Sequence, residues 1–215
     1  MTKSQIYRLY CYRAFGYKYV DEGFLLEDYD IWFDDLDKLK KELKFCNLCE
    51  LCKTRNNVLI PSGNENAKIM IVFESPGFSA DKNATAYNGQ LGEKFFEIFE
   101  EVVGVSVKEC YTTFLMKCRI PQNRKIDRNL LLKCAPYLSD EIRILKPKAV
   151  LSFGELCAKV LLRNDNLPSL DIIHGSLFKD SGITYIPTFG VNFLLSNPSR
   201  IDDFKSDLEK IKQSL

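Results

Sequence analysis

The sequence predicts an α/β protein: a four-stranded, mostly parallel sheet covered by helices on both faces, with a helical extension at the N-terminus. Two observations carry this. Four apolar runs, at 68–74, 111–117, 149–153 and 183–188, alternate with segments of helical spacing, the pattern of strands buried on both sides. A length of 215 residues suits one such domain plus an extension.

Taken in order, residues 4–15 read as a short helix, with Ser4 as N-cap and Gly16 closing it. Tyrosines at 7, 10, 12, 17 and 19 crowd this region. They stack on bases or, the reading favoured here, pack the extension onto the main domain. A second helix runs from about 35 to 44, with Leu36, Leu39 and Leu43 at i, i+3 and i+7. The boundary is placed there, with residues 1–44 as a helical, Tyr-rich extension and 45–215 as the main domain. KIMIVFE (68–74) is a buried strand, and 91–103 is a helix with Leu91, Phe95, Phe99 and Val102 on one face. YTTFLMK (111–117) is the second strand, followed by a helical region at 127–145 that Pro136 interrupts or restarts. AVLSF (149–153) leads through Gly154 into the helix ELCAKVLL, and ITYIPT (183–188) is the fourth strand. The last helix carries Ile201, Phe204, Leu208, Ile211 and Leu215, with Ser199-Arg200-Ile201-Asp202 as its capping box. Ligands of such sheets sit beyond the carboxyl ends of the strands, which directs attention to the segments after Glu74, Lys117 and Thr188.

Composition narrows the function classes. Hydrophobic residues at 46% and charged residues at 27% exclude a disordered or collagen-like chain. No apolar run has the roughly 18 to 20 residues of a membrane span, and MTKSQIYRLYCYRAF lacks a signal peptide's apolar stretch, so the protein is read as a cytoplasmic monomer without membrane contact. The net charge of +1 is unevenly spread. Eight acidic residues and no basic one lie between Asp21 and Asp37, whereas 108–148 holds ten Lys/Arg against four Asp/Glu. A local basic excess is enough to meet a polyanion, although such runs are more often solvated helix faces.

Eight cysteines and one histidine in a reducing compartment point to metal rather than disulfides. Cys46, Cys49 and Cys52 form C-x-x-C-x-x-C, and Cys118 and Cys134 follow beyond the first two strands. A thiolate-only set suits zinc or an iron-sulfur cluster. Cys11, Cys110 and Cys157 read as small apolar core residues.

Read with their neighbours, these cysteines carry a resemblance. CNLCELCKTRNNVLIPSG, AKIMIVFESPG, KCRIPQNR, Cys134 sixteen residues after Cys118, LSFGELCAKVLL and LLSNPSR occur in the order and spacing of the iron-sulfur, family 4 uracil-DNA glycosylases. That family has C-x-x-C, a strand ending in GEGPG, KCRPPQNR, C-x15-C and a terminal HPxxLLRNPSR. The resemblance runs from about residue 46 to the C-terminus.

It implies a three-layer α/β/α sandwich, DNA as partner, and a 4Fe-4S cluster held by Cys46, Cys49, Cys118 and Cys134, with Cys52 a bystander. It implies hydrolysis of the bond joining a flipped-out base to deoxyribose. Glu74, aligned with the acidic residue of GEGPG, would orient or activate water; otherwise it caps the next turn. Ser75, Pro76 and Gly77 would shape the turn around the base, and Tyr87 would stack on it. Leu194 and Leu195 fall on the loop that wedges into the duplex, and Arg119, Arg124, Lys125 and Arg200 would meet DNA. The chain also departs from the family. The Asn that reads the uracil edge is Phe114, and the catalytic His is Gly190. The Pro and Arg of that last motif are Val191 and Ser196, and GRPFVGxAG is ATAYNGQLG. Asn192 is near enough in sequence to Gly190 to supply an amide, and His174 reads as structural. The leading expectation is therefore a glycosylase for uracil or another modified base. A noncatalytic DNA-binding protein of the same fold and a zinc-stabilised interaction module are the alternatives.

Overall fold

A computed structural model describes residues 9, 13, 33–86, 90–121 and 124–215, those at 90–93 and 129 by backbone only. Apart from Leu9 and Arg13, the helix expected at 4–15 with its tyrosines lies outside the described residues, as do Tyr87, Gly89, Gln122 and Asn123.

The described chain begins with α1 (Leu36–Lys44). The Asp35 side chain accepts from the Lys38 amide at 2.8 Å, and Leu36, Leu39 and Leu43 are buried. This is the apolar stripe its spacing predicts. The strands are β1 (Ser62–Gly63), β2 (Ile69–Phe73), β3 (Tyr111–Phe114), β4 (Ala149–Phe153), β5 (Phe178–Asp180) and β6 (Ile183–Thr188). They form one sheet in the order β1-β3-β2-β4-β6-β5. β3, β2, β4 and β6 are mutually parallel, whereas β1 and β5 pair antiparallel at the two edges. The sheet thus has six strands where four were expected. The two additions are three residues or shorter and partly exposed, so neither has an apolar run to betray it.

Strand pleating makes the three layers. Along β2, Ile69, Ile71 and Phe73 face α3 (Gln90–Val103) and α8 (Ile201–Gln213), meeting Phe95, Phe99, Phe204, Leu208 and Ile211. Met70 and Val72 face the other way, toward Leu138 of α4 (Arg128–Leu145) and Cys157 of α5 (Glu155–Leu161). Alternate side chains of one strand therefore feed two cores. Tyr137 of α4 closes a further small core with Leu39 and Leu43 of α1.

Two local expectations change. The helix over Pro136 is continuous: burial of Cys134, Tyr137 and Leu138 around the proline holds it across the missing amide. The capping box at Ser199 does not form. Residues Pro198–Arg200 make a 3-10 turn that runs directly into α8, whose N-cap, Arg200, has no side-chain cap. Asp202 and Asp203 in the first turn complement the helix dipole instead. Three short helices sit at the mouths of the strands: α2 (Phe78–Asn83), α6 (Leu170–Ile173) and α7 (Val191–Ser196). Among the described residues no helix is long and apolar enough to cross a membrane.

Candidate active site and cysteine centre

The carboxyl ends of β2, β3, β4 and β6 open into a cleft of about 1200 Å³, where the sheet rule places ligands. Its floor is aromatic. Phe73 pairs with Phe114 in the β2–β3 register, their rings 6.0 Å apart, and stacks on Phe153 of β4 at 4.4 Å. Phe114 is 4% exposed and belongs to the core as much as to the cleft.

Glu74 leaves β2 into this cleft. Its Oε1 accepts from the Leu156 amide at 3.1 Å, in the first turn of α5. Burial pushes the carboxyl above the ordinary glutamate value, against the opposing pull of the Leu156 amide. Gly154 makes room for it. With φ at +90°, that residue lies in a region L side chains rarely adopt, and a Cβ would stand 2.3 Å from Glu74 Oε1. A backbone amide and a glycine thus hold a half-buried carboxylate with raised proton affinity at the cleft floor. Such a group is equipped to orient water and accept its proton.

Ser75, Pro76 and Gly77 continue along the rim into α2, and Gly190, Val191, Asn192 and Phe193 form the facing wall. Asn192 is exposed and lines the cleft. Leu194, by contrast, is 7% exposed and packs in the main core, so it is not at the surface as a wedge. Leu195 is half-buried against a small apolar pocket shared with Phe95, Ile98 and Phe204. The helical turn of α7 directs Val191, Leu194 and Leu195 toward α3 and leaves Asn192 and Phe193 outside. Phe193, stacked on Phe189 at 5.0 Å, is the exposed apolar residue of this segment. His174 does not line the cleft. Its Nδ1 lies 3.0 Å from Asp207 Oδ1, and the same buried carboxylate accepts from the Thr188 hydroxyl at 2.7 Å, which ties the loop before β5 to β6 and α8.

Each arginine expected to meet DNA has an acidic partner. Arg119, on the cleft wall, places Nε 3.3 Å from Asp81 Oδ2. Arg124 pairs with Glu50 and lies 3.7 Å from Asp127, and Arg200 bridges Asp171 at 2.7 Å and Asp203 at 2.9 Å. Lys125 is exposed. Asp81 is fully buried on α2 and accepts from the Asn56 amide (3.0 Å), the Asn56 side chain (2.7 Å) and the Asn57 amide (3.1 Å). Burial alone would raise its carboxyl. The donors from Asn57, Asn56 and Arg119 outweigh burial and hold it below the ordinary value.

The second centre adjoins the cleft, since Cys118 directly precedes Arg119 of the cleft wall. Cys46 follows α1, Cys49 caps a 3-10 turn at Glu50–Lys53, Cys118 follows β3, and Cys134 sits in α4. Cys49, Cys118 and Cys134 share an apolar environment with Leu51, Met116 and Leu130. Burial pushes the Cys134 thiol up to about 12, opposed by the Lys117 amide, which donates to its Sγ at 3.3 Å, and reinforced by nearby Cys118 and Cys46. Cys118 is likewise raised by burial and by Cys49 and Cys46, while Arg55 pulls the other way. Three of the four cysteines expected as ligands, Cys49, Cys118 and Cys134, thus line one small core, and Cys46 is tied to it through its carbonyl. Arg55 clamps two of their segments: Nη1 donates to Cys118 Sγ at 3.1 Å and Nη2 to the Cys46 carbonyl at 2.7 Å. Among the described residues no three Cys, His, Asp or Glu side chains converge on a point one ion could fill. The four candidate donors are all cysteine sulfurs, two of them buried, with N–H donors to Cys118 and Cys134, a donor chemistry that suits an iron-sulfur cluster.

Arg55, Asp81, Phe78 and Phe193 were not singled out by sequence. Arg55, the one arginine between Cys46 and Ile60, was the only one with a usable signal.

The model of the uracil DNA glycosylase superfamily matches residues 60–215. Among curated proteins, the Type-4 uracil-DNA glycosylase of Pyrobaculum aerophilum is 32% identical over 81% of this chain and 91% of its own. Those of Sulfurisphaera tokodaii and Saccharolobus solfataricus are each 29% identical, covering 84% of both chains in the first case and 85% and 87% in the second. With that match spanning most of the domain and the carboxylate-bearing cleft at the sheet's carboxyl edge, the chain belongs to the uracil DNA glycosylase superfamily.

Proposed function

We propose that this protein is a DNA glycosylase that hydrolyses the N-glycosidic bond of uracil or another modified base flipped from DNA into the cleft. The observation that carries it is Glu74, a carboxylate of raised proton affinity at the end of β2, held by the Leu156 amide over an aromatic floor. As the bond breaks, the sugar gains positive charge and the base leaves with negative charge. Glu74 takes the proton of the attacking water and faces the charge on the sugar. Ser75, Pro76 and Gly77 shape the turn beside the base, and Asn192, which also lines the cleft, serves the departing oxygen; the family resemblance gives Tyr87 the stacking role. Phe114 selects by shape where an amide would select by hydrogen bonds. Arg119, Arg124, Lys125 and Arg200 steer the phosphates, and Leu195 backs the segment that faces the duplex.

Cys46, Cys49, Cys118 and Cys134 hold the 4Fe-4S cluster in this reading. Bound there, it supplies iron–thiolate bonds that tie residues 46–49 to the segment after β3 and to α4. Residues 45–215 form the catalytic domain and 1–44 the extension. A cytoplasmic setting keeps the thiols reduced. The second reading, a noncatalytic DNA-binding protein, is favoured by one observation, that Phe114 and Gly190 stand where the family has a base reader and a catalytic His.

Incubation with oligonucleotides carrying uracil or one of a panel of modified bases, followed by alkaline cleavage, tests the proposal. Scission for at least one base is expected. Intact strands throughout, with DNA binding retained, would select the second reading.

A further inference from the structure

Phe78 is an exposed aromatic side chain at the start of α2, 68% accessible, on the rim of the cleft rather than in its floor. A single exposed phenylalanine is ordinary in itself, and what sets Phe78 apart is its place on the cleft rim and the cation against it. Its surroundings are built. The Arg119 guanidinium lies over the ring, 5.6 Å from its centre. Arg119 is in turn held by Asp81, which is fully buried and fixed by Asn56 and Asn57. The chain Asp81–Arg119–Phe78 thus sets one exposed ring, with a cation against it, at the entrance through which a flipped nucleotide must pass.

We propose that Phe78 and Arg119 form a stacking platform for an unpaired nucleobase next to the one that enters the cleft. The ring offers a π-face that takes any base, and Arg119 adds positive charge where that nucleotide's phosphate runs. Every base has such a face, so the platform is tolerant of sequence. It requires only that the neighbouring base be out of its own stack, so the protein favours single-stranded or locally opened DNA. The inference rests on the DNA reading above but not on catalysis.

The test is binding of a short single-stranded oligonucleotide with 2-aminopurine beside a uracil, by anisotropy and by 2-aminopurine fluorescence across a salt series. The wild type is expected to bind and quench the probe. Phe78→Ala raises Kd about tenfold, relieves the quenching and leaves the salt dependence unchanged, whereas Phe78→Trp restores both affinity and quenching. Arg119→Ala weakens binding and lowers the salt slope by about one. If the wild type binds and quenches while Phe78→Ala equals it in both, the platform is wrong and the DNA reading stands. A wild type that binds no DNA overturns both. Loss of the salt slope rather than of quenching in Phe78→Ala also sinks the platform, because it would mean the ring only supports Arg119.

Discussion

Glu74 and Arg55 are each defined by one or two hydrogen bonds, and both yield residue-scale predictions. Glu74→Gln keeps the shape and the Leu156 contact but not the base, so excision falls by roughly 100-fold or more, measured under single-turnover conditions. Because burial raises the Glu74 carboxyl, the active, ionised form is gained only as pH rises through a value above that of an ordinary glutamate. The acid limb of the pH–rate profile therefore lies at higher pH than for an exposed glutamate, and it disappears in Glu74→Gln. Arg55→Gln removes the charged donor to Cys118 Sγ and weakens the link to the Cys46 carbonyl. Faster bleaching of the cluster's visible absorption by an iron chelator is expected, a readout independent of glycosylase activity.

At the scale of elements, the cleft exists because short helices and loops are pinned to the strand ends. Gly154 joins β4 to α5 under Glu74, and Gly154→Ala forces a Cβ into the carboxylate while straining a positive φ. It should lower both the melting temperature and excision, whereas alanine at exposed Gly77, where nothing lies within 4 Å of the added carbon, should not lower the melting temperature. Asp81 joins α2 to the loop at Asn56 and Asn57. The folded chain holds this carboxyl below its unfolded value, so its stabilisation is present at neutral pH and is lost as pH falls toward the folded value. Asp81→Asn should therefore lower the melting temperature more at pH 7 than at about pH 3. Between β3 and α4, Lys117 and Glu141 lie 2.6 Å apart, both almost wholly buried, with Lys117 also donating to the Thr113 hydroxyl at 2.6 Å. Lys117→Met alone strands a buried carboxylate and should cost about 3–5 kcal/mol in denaturant unfolding, much of it recovered in Lys117→Met/Glu141→Leu.

For the whole molecule, the two centres stand on one sheet. Glu74 and Cys118 leave neighbouring parallel strands at the same edge, joined by the hydrogen bond from the Met116 amide to the Glu74 carbonyl at 2.9 Å. A cluster held by the proposed cysteines would also bind the segment after α1 to α4 and so close long loops. Removing the cluster should lower the melting temperature and increase proteolysis at 46–60 before it affects the cleft, which limited digestion with and without chelator would reveal.

The four central strands and the helices at 36–44, 91–103 and 201–213 were legible because each is written as a local period, in apolar runs and i, i+3, i+7 stripes, whereas the choice of Cys46, Cys49, Cys118 and Cys134 rests on the family resemblance. The position of Glu74 at the cleft was legible because the strand before it ends there, and its proposed role comes from the family resemblance. The edge strands were not, since two or three exposed residues carry no apolar signal. The burial of Leu194, the tie of His174 to Asp207 and the pairing of Arg119 with Asp81 were not legible either. Each depends on which element lies opposite, a choice made by long-range packing. Sequence by itself determined which residues could bear the chemistry. Only the tertiary structure decided which face water and which are spent on the core, because burial and charge pairing join residues tens of positions apart in the chain.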